Sequence, residues 1–163
     1  MNLVLSTNQY NIENVFFGEK TKNTIIWNSL FIKVFYSTEV ISLNGIYLLL
    51  EFKNKLISKD YNKYKISFDT KQNIDIIHRI EQIEKSILHK INIVNKTPKL
   101  SVYDQCCLGY LKLFHSGEIT RDLHLVLKIS GIWENSSEYG ITYKFYLMKK
   151  SIRPLSNNLQ LSA

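Results

Sequence analysis

Proline occurs only twice in these 163 residues, at Pro98 and Pro154, alanine once, and glycine six times. The glycines are scattered, so the chain holds neither a dinucleotide-type nor a P-loop glycine cradle for phosphate. It also lacks a Gly-x-Ser-x-Gly nucleophile elbow. No stretch rich in Pro, Gly or Ser reads as a linker, and no repeat or low-complexity segment interrupts the chain. The expected organisation is one globular domain over residues 1–148 and a mobile, basic-to-polar tail over 149–163. Cysteine is limited to the neighbours Cys106 and Cys107. Adjacent cysteines do not form an easy bridge, and no second pair exists to complete a zinc site. They read as two semi-buried thiols in a reducing compartment. The longest apolar runs, such as residues 45–50, fall far short of the ~20 residues needed to span a bilayer. Residues 1–6 carry no basic segment of the secretory kind. The expected location is intracellular (cytoplasm or nucleus of a host cell, or a virion) and not secreted.

What is present is ordinary for a folded protein: 45% apolar and 21% charged residues. The balance is basic, +7 at neutral pH with an isoelectric point near 9.3. It is spread as +2 over residues 1–70, +3 over 71–100 and +2 over 101–163. That distribution lacks the block of like charge that marks a basic tail and suits a body positive all round, which attracts polyanions. Abundant Ile, Asn, Lys, Tyr and Phe also fit an AT-rich coding bias, which accounts for part of the charge without any ligand.

Periodicity divides the chain into strands, one long helix, then strands. Alternation predicts a strand over about 24–37, with Phe31, Lys33 and Phe35 on one face. A turn at residues 42–45 follows, then strands over 46–53 and 63–68, the latter with Lys63 and Lys65 outward. Ile76, Ile80, Ile83, Ile87, Ile91 and Val94 form one stripe of a helix over about 73–95, with Asn73 as N-cap. Residues 108–114 read as a strand, or 104–114 as a short helix. The strongest β signal is a long antiparallel hairpin over 123–148, in which Leu123, Leu125, Leu127 and Ile129 alternate with His124, Val126, Lys128 and Ser130. The fold class is therefore α+β and β-rich: an antiparallel OB-like barrel or sheet with one long helix between strands.

Enzyme constellations are missing. The four histidines show no zinc-protease spacing, and His78 and His89 lie too far apart along the helix to share a metal. Glu81 and Glu84 sit one turn apart beside Arg79 and Lys85 and read as a solvated face. A thiol–imidazole pair drawn from Cys106 or Cys107 with His115 or His124 has no local support. No catalytic residue, metal or cofactor is expected. What recurs is aromatic and basic residues on the polar sides of strands: Phe31, Lys33, Phe35, Lys63, Lys65, Lys128, Trp133, Tyr139, Lys144 and Tyr146. Flat side chains that stack on unpaired bases, interleaved with lysines that neutralise phosphates, are how single-stranded nucleic acid is held.

Residues 127–145, LKISGIWENSSEYGITYKF, together with a looser likeness over 35–52, resemble OB-fold single-stranded DNA-binding proteins of large double-stranded DNA viruses. The resemblance implies a non-enzymatic DNA-binding role in replication, with Trp133, Tyr139, Tyr143 and Lys144 on an aromatic–basic hairpin. Residues 149–163 depart from replication-type binders, whose tails are acidic. The implied partners are a single-stranded polynucleotide, other viral or replication proteins and further copies of the chain, with no membrane. The rival is a viral structural or assembly protein, or a subunit of a larger complex, because aromatics on strand faces serve protein contacts equally well.

Overall fold

Strand β10, Leu123–Glu134, organises the molecule, because every large strand packs beside it or beside its partners. The computed structural model describes residues 3–120 and 122–149. The strands before β10 are β1 (Leu5–Ser6), β2 (Val15–Lys22), β3 (Leu30–Ser37), β4 (Ser42–Leu43), β5 (Ile46–Leu50), β6 (Leu56–Asp60) and β7 (Lys63–Ser67). Helix α1 (Ile74–Ile91), β8 (Thr97–Lys99), α2 (Ser101–Cys107) and β9 (Tyr110–Leu113) follow, and β11 (Glu138–Lys149) closes the hairpin with β10. Eight strands form a mixed sheet along β1-β5-β10-β11-β8, with β3 attached beside β10 and β2 and β4 beside β3. The remaining three form a separate sheet, β6-β7-β9.

The α+β, strand-rich class is therefore as the periodicity predicts, and its details differ. Two pairings, β1 with β5 and β11 with β8, are parallel, so the large sheet is mixed. There are two sheets and two helices among the described residues, and the strands do not close into a barrel. Residues 101–113 hold both a helix, α2, and a strand, β9. Strand β2 escapes the alternation test because a register shift between Phe17 and Lys20 breaks its pattern. Of the expected tail, Lys149 ends β11 and residues 150–163 lie outside the described residues. No helix is long and apolar enough to cross a membrane among the described residues.

The core lies between the inner face of the large sheet, the stripe of α1 and the small sheet. Ile80, Ile83 and Ile87 of α1 pack with Leu125, Leu127 and Ile129 of β10, Leu48 of β5, Ile66 of β7 and Leu111 of β9. Phe52 and Phe68 stack at 4.0 Å and close the end of that core. The helix stops earlier than the stripe suggests. Asn92 takes a left-handed conformation (φ 47°) and donates its backbone N–H to the Leu88 carbonyl, so Val94 falls outside and is exposed. Asn73 is the N-cap residue, as expected, but its side chain makes no capping bond to the helix. Its side chain instead bridges to the Lys53 backbone in both directions, at 2.6 and 3.1 Å, and to the Asp69 carbonyl.

Glu84 is the larger surprise. Glu81 stays on the surface with Lys85 at 2.6 Å, but Glu84 is buried, and its two carboxylate oxygens accept the backbone N–H groups of Val102 and Tyr103 at 3.0 and 2.9 Å. One helix thus caps the next across 18 residues of sequence, satisfying donors that α2 cannot satisfy itself. Burial raises the Glu84 pKa from its ordinary 4.5 to about 7; the two N–H bonds oppose this and nearby Asp104 adds to it. Between those values the folded protein keeps a proton that the unfolded chain has released. The stability contributed by this group is therefore full below pH 4.5 and lost as pH rises to about 7, a change of about 3 kcal/mol. Urea unfolding of the wild type should show this downward slope, and Glu84→Gln should flatten it. Equal slopes for the two proteins would mean that the carboxyl titrates normally.

Candidate functional site

The outward face of the large sheet collects most of the aromatic–basic residues. Phe31, Lys33 and Phe35 come from β3, Lys128 and Trp133 from β10, and Lys144 and Tyr146 from β11. The register sets them side by side: Phe31 opposite Trp133, Lys33 opposite Gly131, Lys128 between Tyr47 and Lys144, and Val126 opposite Tyr146. Trp133 reaches this face only through a β-bulge. Strict alternation from Leu125, Leu127 and Ile129 would send position 133 into the core. The register shift between Ile129 and Gly131 inserts Ser130, so that Ile132 turns inward and Trp133 outward.

Three of the rings lie across glycines of neighbouring strands. A Cβ built on Gly131 would overlap the Phe31 ring, and one on Gly140 would meet Trp133 Cζ2 at 2.9 Å. Gly18 similarly underlies Phe35, at 3.3 Å. Each ring thus rests on bare backbone and remains half-buried, its lower side against the sheet. A ring seated this way keeps its orientation at little entropic cost, which is what a stacking platform needs.

The charges around these rings are cationic and uncompensated. Among the described residues no ion pair engages Lys33, Lys128 or Lys144; the pairs involve other lysines. Lys33 Nζ lies 5.2 Å from the Phe35 ring centre and Lys128 Nζ 5.4 Å from that of Tyr47. No acidic residue takes an outward position on β3, or on β11 from Gly140 onward. Glu138, at the end of that row, is held by Lys99 at 3.0 Å. Glu134 is turned inward and buried between Lys96 at 2.5 Å and Lys20 at 2.9 Å. Burial alone would raise its pKa, but the two lysines outweigh it and hold the carboxyl below its ordinary range.

Four expected residues lie elsewhere. Tyr139 is a core residue: the bulge leaves it on the inward side opposite Glu134, with β8 laid alongside it, and it has no face free for a base. Tyr143, matched through the viral resemblance, also turns inward, and its hydroxyl donates to the Ser101 carbonyl at 3.2 Å. Lys63 and Lys65 stand on the small sheet, apart from the others. Tyr146 stays on the outward face but packs in a minor apolar cluster with Val4, Val126 and Met148. The sequence reading missed Tyr47, whose outward position follows from its alternation with Ile46 and Leu48. It also missed Tyr110, Lys112 and Phe114, because a short strand after a helix carries too few residues to show a period.

Catalytic alternatives find little in the geometry. Burial pushes the Cys106 thiol up to about 12, which opposes a thiolate nucleophile, and His115 packs edge-on to Tyr64. Among the described residues no three His, Cys, Asp or Glu side chains gather as a metal would require. No family model, curated protein or solved structure matches the chain.

The glycine seats generate a graded expectation. Gly131→Ala places its Cβ 2.6 Å from the Ile32 carbonyl oxygen as well as against Phe31, and backbone cannot swing aside. For Gly140→Ala the nearest atoms all belong to the Trp133 indole, which can. Both should destabilise by overpacking, at about 1–3 kcal/mol, with Gly131→Ala the costlier. Thermal melts that rank the two in reverse order would contradict the seating described.

Proposed function

We propose that this protein binds single-stranded nucleic acid, DNA in the first instance, without catalysis, through the outward face of the large sheet. The observation that carries the reading is the pair of seated rings, Phe31 and Trp133, side by side on the outward sheet face, with unpaired Lys33 two residues on along β3 and the unpaired Lys128 and Lys144 facing each other further along β10 and β11. Bases stack on such rings while lysines track the phosphates. On this reading the two sheets and the intervening helix are an opened form of the OB-like layout, in which a strand face meets the polynucleotide. The matching setting is intracellular or in a virion, and the matching role is in viral DNA replication.

A second reading, assembly with other proteins, is favoured by the tip of the β2–β3 hairpin. Asn23 Oδ1 accepts the N–H groups of Ile25 and Ile26, and Ser29 Oγ donates to the Ile26 carbonyl, so the loop is internally braced. Yet Ile25 and Trp27 are 87% and 92% exposed. A braced loop that presents large apolar side chains to water suits a protein contact.

Fluorescence anisotropy with a labelled oligothymidylate at two salt concentrations tests the first reading. Trp133→Ala should weaken binding by about 1–3 kcal/mol. Lys144→Ala should reduce the salt slope by about 0.7, the share of one neutralised phosphate on a single strand. In a Trp27→Phe background the remaining indole, Trp133, should be quenched on binding. Affinity weaker than ~100 μM at low salt, or no salt dependence, would sink the reading.

A further inference from the structure

The small sheet and the large one meet at a cleft of about 510 Å³ between β9 and β11, within the roughly 300–1,000 Å³ typical of ligand sites. Tyr110, Lys112 and Phe114 line one wall, and Tyr143, Lys144 and Phe145 the other. Both walls are strand edges. β9 pairs only with β7, and β8 covers β11 only at Glu138–Gly140, so the β11 edge beyond that point has no partner strand among the described residues. Unpaired edges offer backbone donors and acceptors to whatever enters.

The chemistry of the rim repeats that of the outward face. Lys63 Nζ lies 4.9 Å from the Phe114 ring centre and Lys65 Nζ 4.6 Å from that of Tyr110. Neither lysine has an ion-pair partner among the described residues, whereas Lys112 is held by Asp60 at 3.1 Å. Phe114 is 60% exposed, so its ring is available. Lys144 belongs to both places: it stands on the outward row opposite Lys128 and it lines the cleft.

We infer that the cleft is a second base-binding subsite for the same polynucleotide, and that one single strand passes from the Phe31–Trp133 platform over Lys128 and Lys144 into the space between Tyr110 and Phe114. Lys63 and Lys65 hold phosphates at its mouth. This rests on the single-strand reading of the large sheet. The charge around the cleft selects a polyanion over an added peptide strand, which would need the free edges but not the three unpaired lysines, Lys63, Lys65 and Lys144. It also accounts for Lys63 and Lys65, which the large sheet leaves out.

The test compares a short oligothymidylate of about 5 nucleotides with a long one of about 20, spanning the site sizes such surfaces occupy. In the wild type the long probe should bind at least tenfold more tightly. Phe114→Ala and Lys63→Ala, both at exposed positions, should each weaken the long probe about tenfold and leave the short one unchanged. Trp133→Ala should weaken both. If Phe114→Ala and Lys63→Ala leave the long probe unaffected while Trp133→Ala still weakens both, the second subsite is wrong and the platform stands. If the wild type binds neither probe, the underlying reading fails as well. Should Phe114→Ala instead change the sedimentation mass of the protein and not its affinity for the long probe, the cleft is a contact between copies and the inference is overturned.

Discussion

Ser130 is the residue that β10 has and β11 lacks, and the arrangement of both faces depends on it. Between Leu123 and Ile129 the strand runs beside β5, and from Gly131 to Glu134 it runs beside β3. One long strand can serve two partners on the same edge only if it bends where they change over, and a bulge supplies the bend and the added twist. The same inserted residue reverses which side chains face the core. Ile132 replaces what would have been Gly131 inside, and Trp133 escapes to the open side. The Ser130 hydroxyl donates to the Thr142 carbonyl across the ladder, which ties the irregular residue to the neighbouring strand.

Much of this architecture is legible in the chain, and the exceptions share a cause. The stripe of α1 and the alternations of β3, β5, β7 and β10 are strong because each element buries one continuous face against one core. β2 and β6 are weak in sequence because they are edge strands: β2 has charged residues at Glu19, Lys20 and Lys22, and β6 is mostly polar. Glu84 defeats local reading because its environment is made by α2, which folds back on it from beyond the end of α1. Tyr139 defeats it in the same way, through β8. In both cases a residue beside charged or turn-forming neighbours looks solvated until a distant segment covers it.

The candidate surface was half visible for a related reason. Which residues share a strand face follows from alternation, so Phe31, Lys33 and Phe35 were recognisable together. Which faces adjoin does not follow, and the separation of Lys63 and Lys65 onto a second sheet is set by β7 pairing with β6 and β9 rather than with β5. The distribution of acids completes the picture. Carboxylates pair with the lysines of β2, α1, β8 and β9 and leave those beside the rings uncancelled, so the charge pattern is more selective than a uniform +7 suggests.

The seating of rings on glycines has a consequence for how this surface can change over generations. The Trp133 ring fills the volume that a side chain on Gly140 would occupy, so the two behave as a single unit drawn from neighbouring strands, whereas the Ile32 carbonyl keeps position 131 a glycine whatever becomes of Phe31. Residues in such contact do not contribute independently. Shrinking Trp133 opens room for a methyl group on Gly140, and adding the methyl first displaces the ring. Drift at positions 133 and 140 is therefore expected to occur as a pair, and a lineage that loses this aromatic is free to lose its glycine too, while Gly131 persists through changes at Phe31.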